Sequence, residues 1–413
     1  MKYDLVVIGG GPAGMAAAIS ANSQGVKVLL IERENQLGGI LKQCIHDGFG
    51  LIKFGEQLSG PEYAYRCIQE ILDKPIDFML STTLLKIEKN SNFELTLTNP
   101  KGIKNIEAKA IVLANGCRER TAKQVGIHGT RPAGIYNAGT AQYMVNQQGF
   151  IPCKKCVILG SGDIGLIMAR RLTLEGVKVE GVYEAKSAPS GLNRNIQQCL
   201  IDYDIPLHLS HTISRIFGEK RVEKVEIVEV DNEMNPLEGT EKIVECDGVI
   251  LSVGLIPENE IAESLGVEID SKTKGPKVDQ HLMTSCPGVF SSGNSLHVND
   301  LVDYVSETGE LAGKYAAKYI QGKLGNSLKI EVQYDKNFLY AVPQRIVLTN
   351  DEKELDFFIR VSQKFENKKI LIKQGNTVLY RKLYLGLIPA EMEKIKIAVD
   401  GLKNQPLEIQ IEE

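Results

Sequence analysis

Residues 3–34, YDLVVIGGGPAGMAAAISANSQGVKVLLIERE, set two unbroken apolar runs on either side of a glycine cluster and a small-residue stretch. Apolar runs on either side of a glycine turn mark strands, and the small-residue stretch between them marks a helix. The pattern predicts strand, glycine turn, helix, strand. It recurs over residues 155–185, KCVILGSGDIGLIMARRLTLEGVKVEGVYEA. Two more apolar runs, AKAIVLANGCRERT and CDGVILSVGLIPEN, each close in a glycine turn. TSCPGVFSSGN then predicts a short strand and a Gly-Asn turn, followed by a long amphipathic helix. From about residue 330 the chain changes to short alternating runs, among them FLYAVPQRIVL, LDFFIRVSQ and KKILIKQGNTVLYRKLYL. Gly375-Asn376 is a hairpin-turn signal. Roughly five or six strands over this segment predict a small antiparallel sandwich.

Glycine spacing gives the first two units a chemistry. Gly9, Gly11 and Gly14 have the G-x-G-x-x-G spacing, with Pro12 and Ala13 opening the helix. Gly160, Gly162 and Gly165 repeat it, with Asp163 and Ile164 at the helix start. The first glycine allows a tight turn, the second lets backbone approach a pyrophosphate, and the third lets helix pack on strand. Helix-start amides then face the phosphates. Glu32 and Glu184 end the second strands, where a carboxylate accepts from a ribose 2′-hydroxyl. Two complete copies point to two bound dinucleotides. Glu184 would repel a 2′-phosphate and favours NAD(H), although Arg170, Arg171 and Lys186 stand nearby in sequence. The expected fold class is α/β, with two Rossmann-like dinucleotide-binding domains and a small C-terminal antiparallel β domain.

Bulk properties narrow the setting. A chain of 413 residues with net charge −4 carries no basic excess for nucleic acid. It opens with a strand entering a glycine turn, unlike a secretory leader, and no apolar stretch is long enough to cross a bilayer. Eight cysteines without regular spacing suit a reducing compartment. A cytoplasmic protein is expected, touching a membrane only through a partner. No metal site is expected, because the C-terminal quarter has no cysteine after Cys286 and no histidine after His297.

Cys153 and Cys156 form a Cys-x-x-Cys pair against the second glycine turn. Cys156 starts the strand that ends in that turn, so the pair is read as apolar filler rather than a redox disulfide. Cys44, in GGILKQCIHDGFG, has no cysteine partner four residues to either side. It is a candidate single-cysteine redox group, or else a small buried side chain. His46 is a candidate proton donor, or else a pocket-shaping residue.

With the paired glycine turns, the ANGCRERT and CDGVILSVG strands and TSCPGVFSSGN, the chain resembles the two-dinucleotide-binding flavoproteins. That superfamily includes thioredoxin reductase and glutathione reductase. The resemblance implies FAD on the first unit and NAD(H) on the second. It implies an FAD-binding domain of residues 1–118 and 255–326, an inserted NAD(H)-binding domain of 119–254, and a C-terminal domain of 330–413. FAD contacts are implied at Gly9, Gly11, Pro12, Ala13, Gly14, Glu32, Arg33, Gly39, Ile40, Ala114, Gly116, Arg118, Gly293, Asn294 and Val302. NAD contacts are implied at Gly160, Gly162, Asp163, Ile164, Gly165, Glu184 and Gly254. Most members have Asp where this chain has Asn294, whose amide oxygen is expected to accept from a ribityl hydroxyl. Arg118 is placed near pyrophosphate or flavin, or in an ion pair with Glu119.

GGILKQCIHDGFG, ANGCRERT, GSGDIG and YEAKSAPSGLNRN together resemble a narrower group, the FAD/NAD-linked subunits related to hydrogen cyanide synthase and opine oxidase. Within it lies the oxidoreductase accompanying anaerobic-type glycerol-3-phosphate dehydrogenase. The resemblance implies FAD-dependent electron exchange between NAD(H) and a second flavoprotein dehydrogenase subunit, in a homo- or hetero-oligomer. Several such relatives carry a cysteine-rich iron–sulfur segment that this chain lacks, so any cluster would belong to another chain. The alternatives are a stand-alone flavin NADH oxidase or peroxidase using Cys44, and a non-catalytic nucleotide-bound assembly protein. The C-terminal domain is read as a docking module for partners, or as a cap that stiffens a dimer.

Overall fold

Gly9, with a left-handed φ of +109°, turns the chain between strand Lys2–Ile8 and helix Pro12–Asn22. The computed structural model describes residues 1–324, 329–347, 353–398 and 402–412. It divides into two compact units, one of Met1–Cys117 with Pro257–Glu413 and one of Arg118–Ile256. The expected boundary at 326 lies outside the described residues.

In the first unit, strands Asp77–Met79, Val28–Ile31, Lys2–Ile8 and Gly102–Leu113 run parallel, and Val289–Ser291 joins Gly102–Leu113 in the same sense. Phe93–Asn99 and Thr83–Lys89 extend the sheet antiparallel. Leu5, Val7, Leu30 and Val112 are buried on one face; Val6, Ile8, Leu29 and Ile111 are buried on the other. Burial on both faces explains the unbroken apolar runs. Helix Val302–Ile320 packs on Pro12–Asn22 with backbones close together, because Gly309 and Gly313 lie where a Cβ would meet the Ala13 and Ala17 carbonyls at 2.2 and 2.1 Å.

The second unit holds a five-stranded parallel sheet in the order Ile135–Asn137, Gly248–Leu251, Lys155–Leu159, Lys178–Glu184, Leu207–Leu209. A second, four-stranded sheet lies beside it in the same unit, from strands His128–Gly129, His211–Phe217, Lys224–Glu229 and Lys242–Glu245.

The C-terminal segment has its own apolar core, including Ile330, Phe357, Ile372, Leu407 and Ile409, yet lies in the first compact unit. It forms a five-stranded and a three-stranded sheet. FLYAVPQRIVL, which reads as one strand, divides at Pro343 into Phe338–Val342 and Arg345–Val347, in different sheets. Proline has no amide to continue a ladder. Lys329–Tyr334 pairs parallel with Leu407–Glu412, so the segment is not wholly antiparallel. Gln374 and Thr377 face each other across the Gly375-Asn376 turn, with Gly375 at φ +56°. Among the described residues no helix is long and apolar enough to cross a membrane.

Candidate cofactor sites

Register aligns the carboxyl ends of three parallel strands in the first unit: Ile8 is level with Leu113, and Leu113 with Ser291. Crevices at the carboxyl ends of parallel strands are where α/β sheets bind ligands. The glycine turn, Ala114–Gly116 and Gly293–Asn294 therefore converge at one sheet end. A Cβ on Gly9 would lie 2.3 Å from the Ala114 oxygen, and one on Gly14 would lie 1.7 Å from the Gly9 oxygen. A Cβ on Gly11 would meet nothing nearer than the Gly39 Cα at 4.0 Å. Gly9 and Gly14 thus serve the protein's own packing, whereas Gly11 leaves room for a ligand. Pro12 and Ala13 occupy the first helical positions, with Pro at the helix start where no amide is needed.

Glu32 is buried, and its oxygens accept the amides of Gly10 at 2.7 Å and Glu34 at 2.8 Å. It fixes the glycine turn from the end of the second strand. Arg33 is mostly exposed and pairs with Glu258 at 3.3 Å, while Asn115 Nδ2 donates to the Glu258 carbonyl at 2.6 Å. Asn115 Oδ1 and Ser292 Oγ, each one or two residues past a strand end, are buried with no partner among the described residues. An open position at Gly11 and orphaned oxygens at the strand ends fit a polar cofactor. Gly293, at φ +62°, brings its turn against Ala13, 2.8 Å from where its Cβ would be. Asn294 Oδ1 already accepts from the Asn299 amide at 3.0 Å and side chain at 3.3 Å. A backbone N–H can only donate, so the group facing Asn299 is the carboxamide oxygen, which these bonds orient. Val302 starts the helix that follows.

Gly39, at φ +57°, puts its backbone against Gly11, and Ile40 beside it is 57% exposed. Cys44 follows this turn, its thiol donating to the Ile40 carbonyl at 3.4 Å. Burial pushes the thiol up to about 12, which keeps it protonated at neutral pH and unlike an activated cysteine. The His46 ring lies 5.0 Å from that of Phe49. Asp303, which sequence reasoning missed, is buried and accepts the amides of Gly50 at 3.2 Å and Lys53 at 2.8 Å. It fastens this segment to the start of helix Val302–Ile320. The one sequence signal was an acid in the helix's first turn.

The second unit repeats the construction. A Cβ on Gly160 would lie 2.1 Å from the Ser252 oxygen and one on Gly165 would lie 2.6 Å from the Gly160 oxygen, whereas one on Gly162 would meet nothing nearer than 3.6 Å. Glu184 is buried; Oε2 accepts from the Ser161 amide at 3.0 Å, the Ser161 hydroxyl at 2.6 Å and the Ser190 hydroxyl at 3.1 Å. Asp163 accepts from the Leu192 amide at 2.9 Å and Asn195 at 2.6 Å, tying the following loop to the helix start, where Ile164 is half-buried. Gly254, at φ +101°, takes the Arg120 amide on its carbonyl at 3.0 Å. Arg170 sits on Tyr203 and Arg171 pairs with Glu175 at 2.6 Å.

Glu119 does not form the ion pair read from the sequence. Its carboxylate takes the Gly139 amide at 2.9 and 3.1 Å, at the start of helix Ala138–Gln148, and burial raises its pKa against those bonds. Helix-start amides give the carboxylate hydrogen-bond donors and the positive end of the helix dipole. Arg118 opens the second unit. Cys153 and Cys156 are buried free thiols at the start of Lys155–Leu159, and Cys156 is raised well above the usual thiol range by its hydrogen bond to Cys153 and by burial. Gly160 lies four positions beyond Cys156 along an extended strand, roughly 13 Å away. A Cβ on Gly248 would lie 2.7 Å from Cys153 Sγ, so the pair fills the space that glycine leaves.

Residues 3–356 match the family described as pyridine nucleotide-disulphide oxidoreductase. A Listeria innocua protein named thioredoxin reductase is 28% identical over 348 residues, 80% of this chain and 97% of that one. The hydrogen cyanide synthase subunit HcnB of Pseudomonas protegens is 25% identical over 359 residues, 80% of this chain and 73% of that one. Lactococcus lactis thioredoxin reductase, a solved structure, aligns with a TM-score of 0.64 at 21% identity, over 78% of this chain and 99% of that one. The match runs through both glycine-turn units, and the chain belongs to the pyridine nucleotide-disulphide oxidoreductase family, as an FAD- and NAD(P)-dependent oxidoreductase.

Proposed function

We propose that this chain carries FAD on its first unit and NAD(H) on its second, and exchanges electrons with a partner flavoprotein dehydrogenase. FAD and NAD(H) supply hydride transfer; the protein supplies the glycine turns, helix starts and carboxylates that hold them. One observation carries the partner reading over disulfide reduction. The Cys-x-x-Cys pair is buried at the opposite end of its strand from the second glycine turn, while Cys44 at the first crevice is held as a thiol. Two relatives named as subunits, HcnB and an opine oxidase subunit of Agrobacterium tumefaciens, support an acceptor on another chain. The partner is proposed to be a glycerol-3-phosphate dehydrogenase subunit, with any iron–sulfur cluster on a further cysteine-rich chain, and the complex to be cytoplasmic.

Purification of the tagged chain from its native cells tests this. The expected result is a yellow protein bleached by NADH without oxygen and co-eluting with a second flavoprotein. Glycerol-3-phosphate added to that complex should bleach the flavin too. NADH-dependent reduction of a protein disulfide by the isolated chain would overturn the reading. Loss of all NADH-dependent turnover in Cys44→Ser would instead establish the stand-alone oxidase or peroxidase.

A further inference from the structure

We propose that the C-terminal β segment is a positioning element for the cofactor crevice of the first unit, acting through Arg360 on the turn that carries Asn294. Arg360 interrupts the apolar run LDFFIRVSQ, and its side chain is only 13% exposed. It donates to the Tyr340 hydroxyl at 3.1 Å, the Pro389 carbonyl at 2.8 Å and the Asp300 carboxylate. The other Asp300 oxygen accepts the Met392 amide at 2.6 Å. Both oxygens of Asp300 are therefore held by the C-terminal segment.

Asp300 is one residue from Asn299, whose amide and side chain both donate to Asn294 Oδ1. Asn299 Nδ2 also donates to the His297 carbonyl at 3.0 Å. His297 is fully buried between the rings of Tyr340 and Phe358, with centroids 5.7 and 5.5 Å away. The turn after strand Val289–Ser291 is thus gripped at His297 and at Asp300 by the same C-terminal strands. A charge-assisted bond between half-buried groups has one good geometry, so it transmits position rather than mere attraction. Without Arg360, Asp300 loses its cation, the turn relaxes, and the orientation of Asn294 and the start of helix Val302–Ile320 relax with it. The inference rests on FAD in the first unit and is independent of any partner chain.

The test uses full-length protein reconstituted with FAD, reading FAD affinity by flavin fluorescence and the flavin midpoint potential by anaerobic titration. Arg360→Gln is expected to weaken FAD about tenfold and to shift the potential, and Asp300→Asn to do the same. Arg360→Lys should restore part of both. Arg381→Gln breaks the Arg381–Glu412 pair, at 2.8 and 3.0 Å in the same segment away from the turn, and should change neither. The proposal fails if Arg360→Gln and Asp300→Asn both stay within about twofold of wild type with unchanged potential. It fails equally if Arg381→Gln loosens FAD as much as Arg360→Gln. Should Arg360→Gln not fold, Asp300→Asn decides by the same criteria.

Discussion

Gly14 lies directly beneath Gly9, so that a Cβ on Gly14 would sit 1.7 Å from the Gly9 carbonyl oxygen. Backbone, unlike a flexible side chain, cannot yield to that contact. Gly14→Ala should cost roughly 1–3 kcal/mol or more of stability and yield colourless protein. Gly11→Ala meets no protein atom closer than 4.0 Å and should fold normally. If it also loses FAD, the space beside Gly11 belongs to the cofactor. Thermal unfolding and flavin absorbance of the two variants separate these effects.

Glu184 joins Ser161 and Ser190 in one buried cluster at the end of its strand. Replacing it by Ala removes the carboxylate available to a ribose and the charge that repels a 2′-phosphate. The KM for NADH should rise about tenfold and the preference for NADH over NADPH should shrink. Stopped-flow bleaching of the flavin with each nucleotide measures both.

Cys44, pushed up to about 12, should react with iodoacetamide about a thousandfold more slowly at neutral pH than an ordinary exposed thiol. Cys44→Ser should keep NADH-dependent flavin reduction. Mass spectrometry of timed alkylation and a single-turnover bleaching experiment check the two halves.

His297 is held neutral by burial, its pKa lowered from 6.5 to about 4, and Nε2 has no partner among the described residues. The fold favours the unprotonated ring. That stability is fully present above the unfolded value near 6.5 and is lost as pH falls through about 4, for about 3 kcal/mol in all. Urea unfolding should show wild type weakening between neutral pH and pH of about 4 by more than His297→Leu does.

Both glycine-turn units were legible because their demands are local. A tight turn, a close backbone approach and a strand covered on both faces each restrict residue type at fixed offsets, and Gly9, Gly11, Gly14 and Glu32 show those restrictions in sequence. The hairpin at Gly375-Asn376 was legible for the same reason. Contacts between distant segments left no such mark. Glu119 reads as the partner of the adjacent Arg118, yet it caps a helix some twenty residues on, at Gly139. Arg360 and Asp300 are 60 residues apart, and the run around Arg360 marks a strand without indicating the arginine's partner.

Residue order alone specifies the paired nucleotide-binding units, the β character of the C-terminal segment and the poor placement of the Cys-x-x-Cys pair, since each follows from spacing along one strand or turn. Tertiary packing sets the rest: Asn294 turns its oxygen toward Asn299, desolvation raises the Cys44 thiol above its ordinary range, and the C-terminal strands grip the turn after Ser291. Those outcomes depend on desolvation and on hydrogen bonds between segments far apart in the chain, which the order of residues does not encode locally.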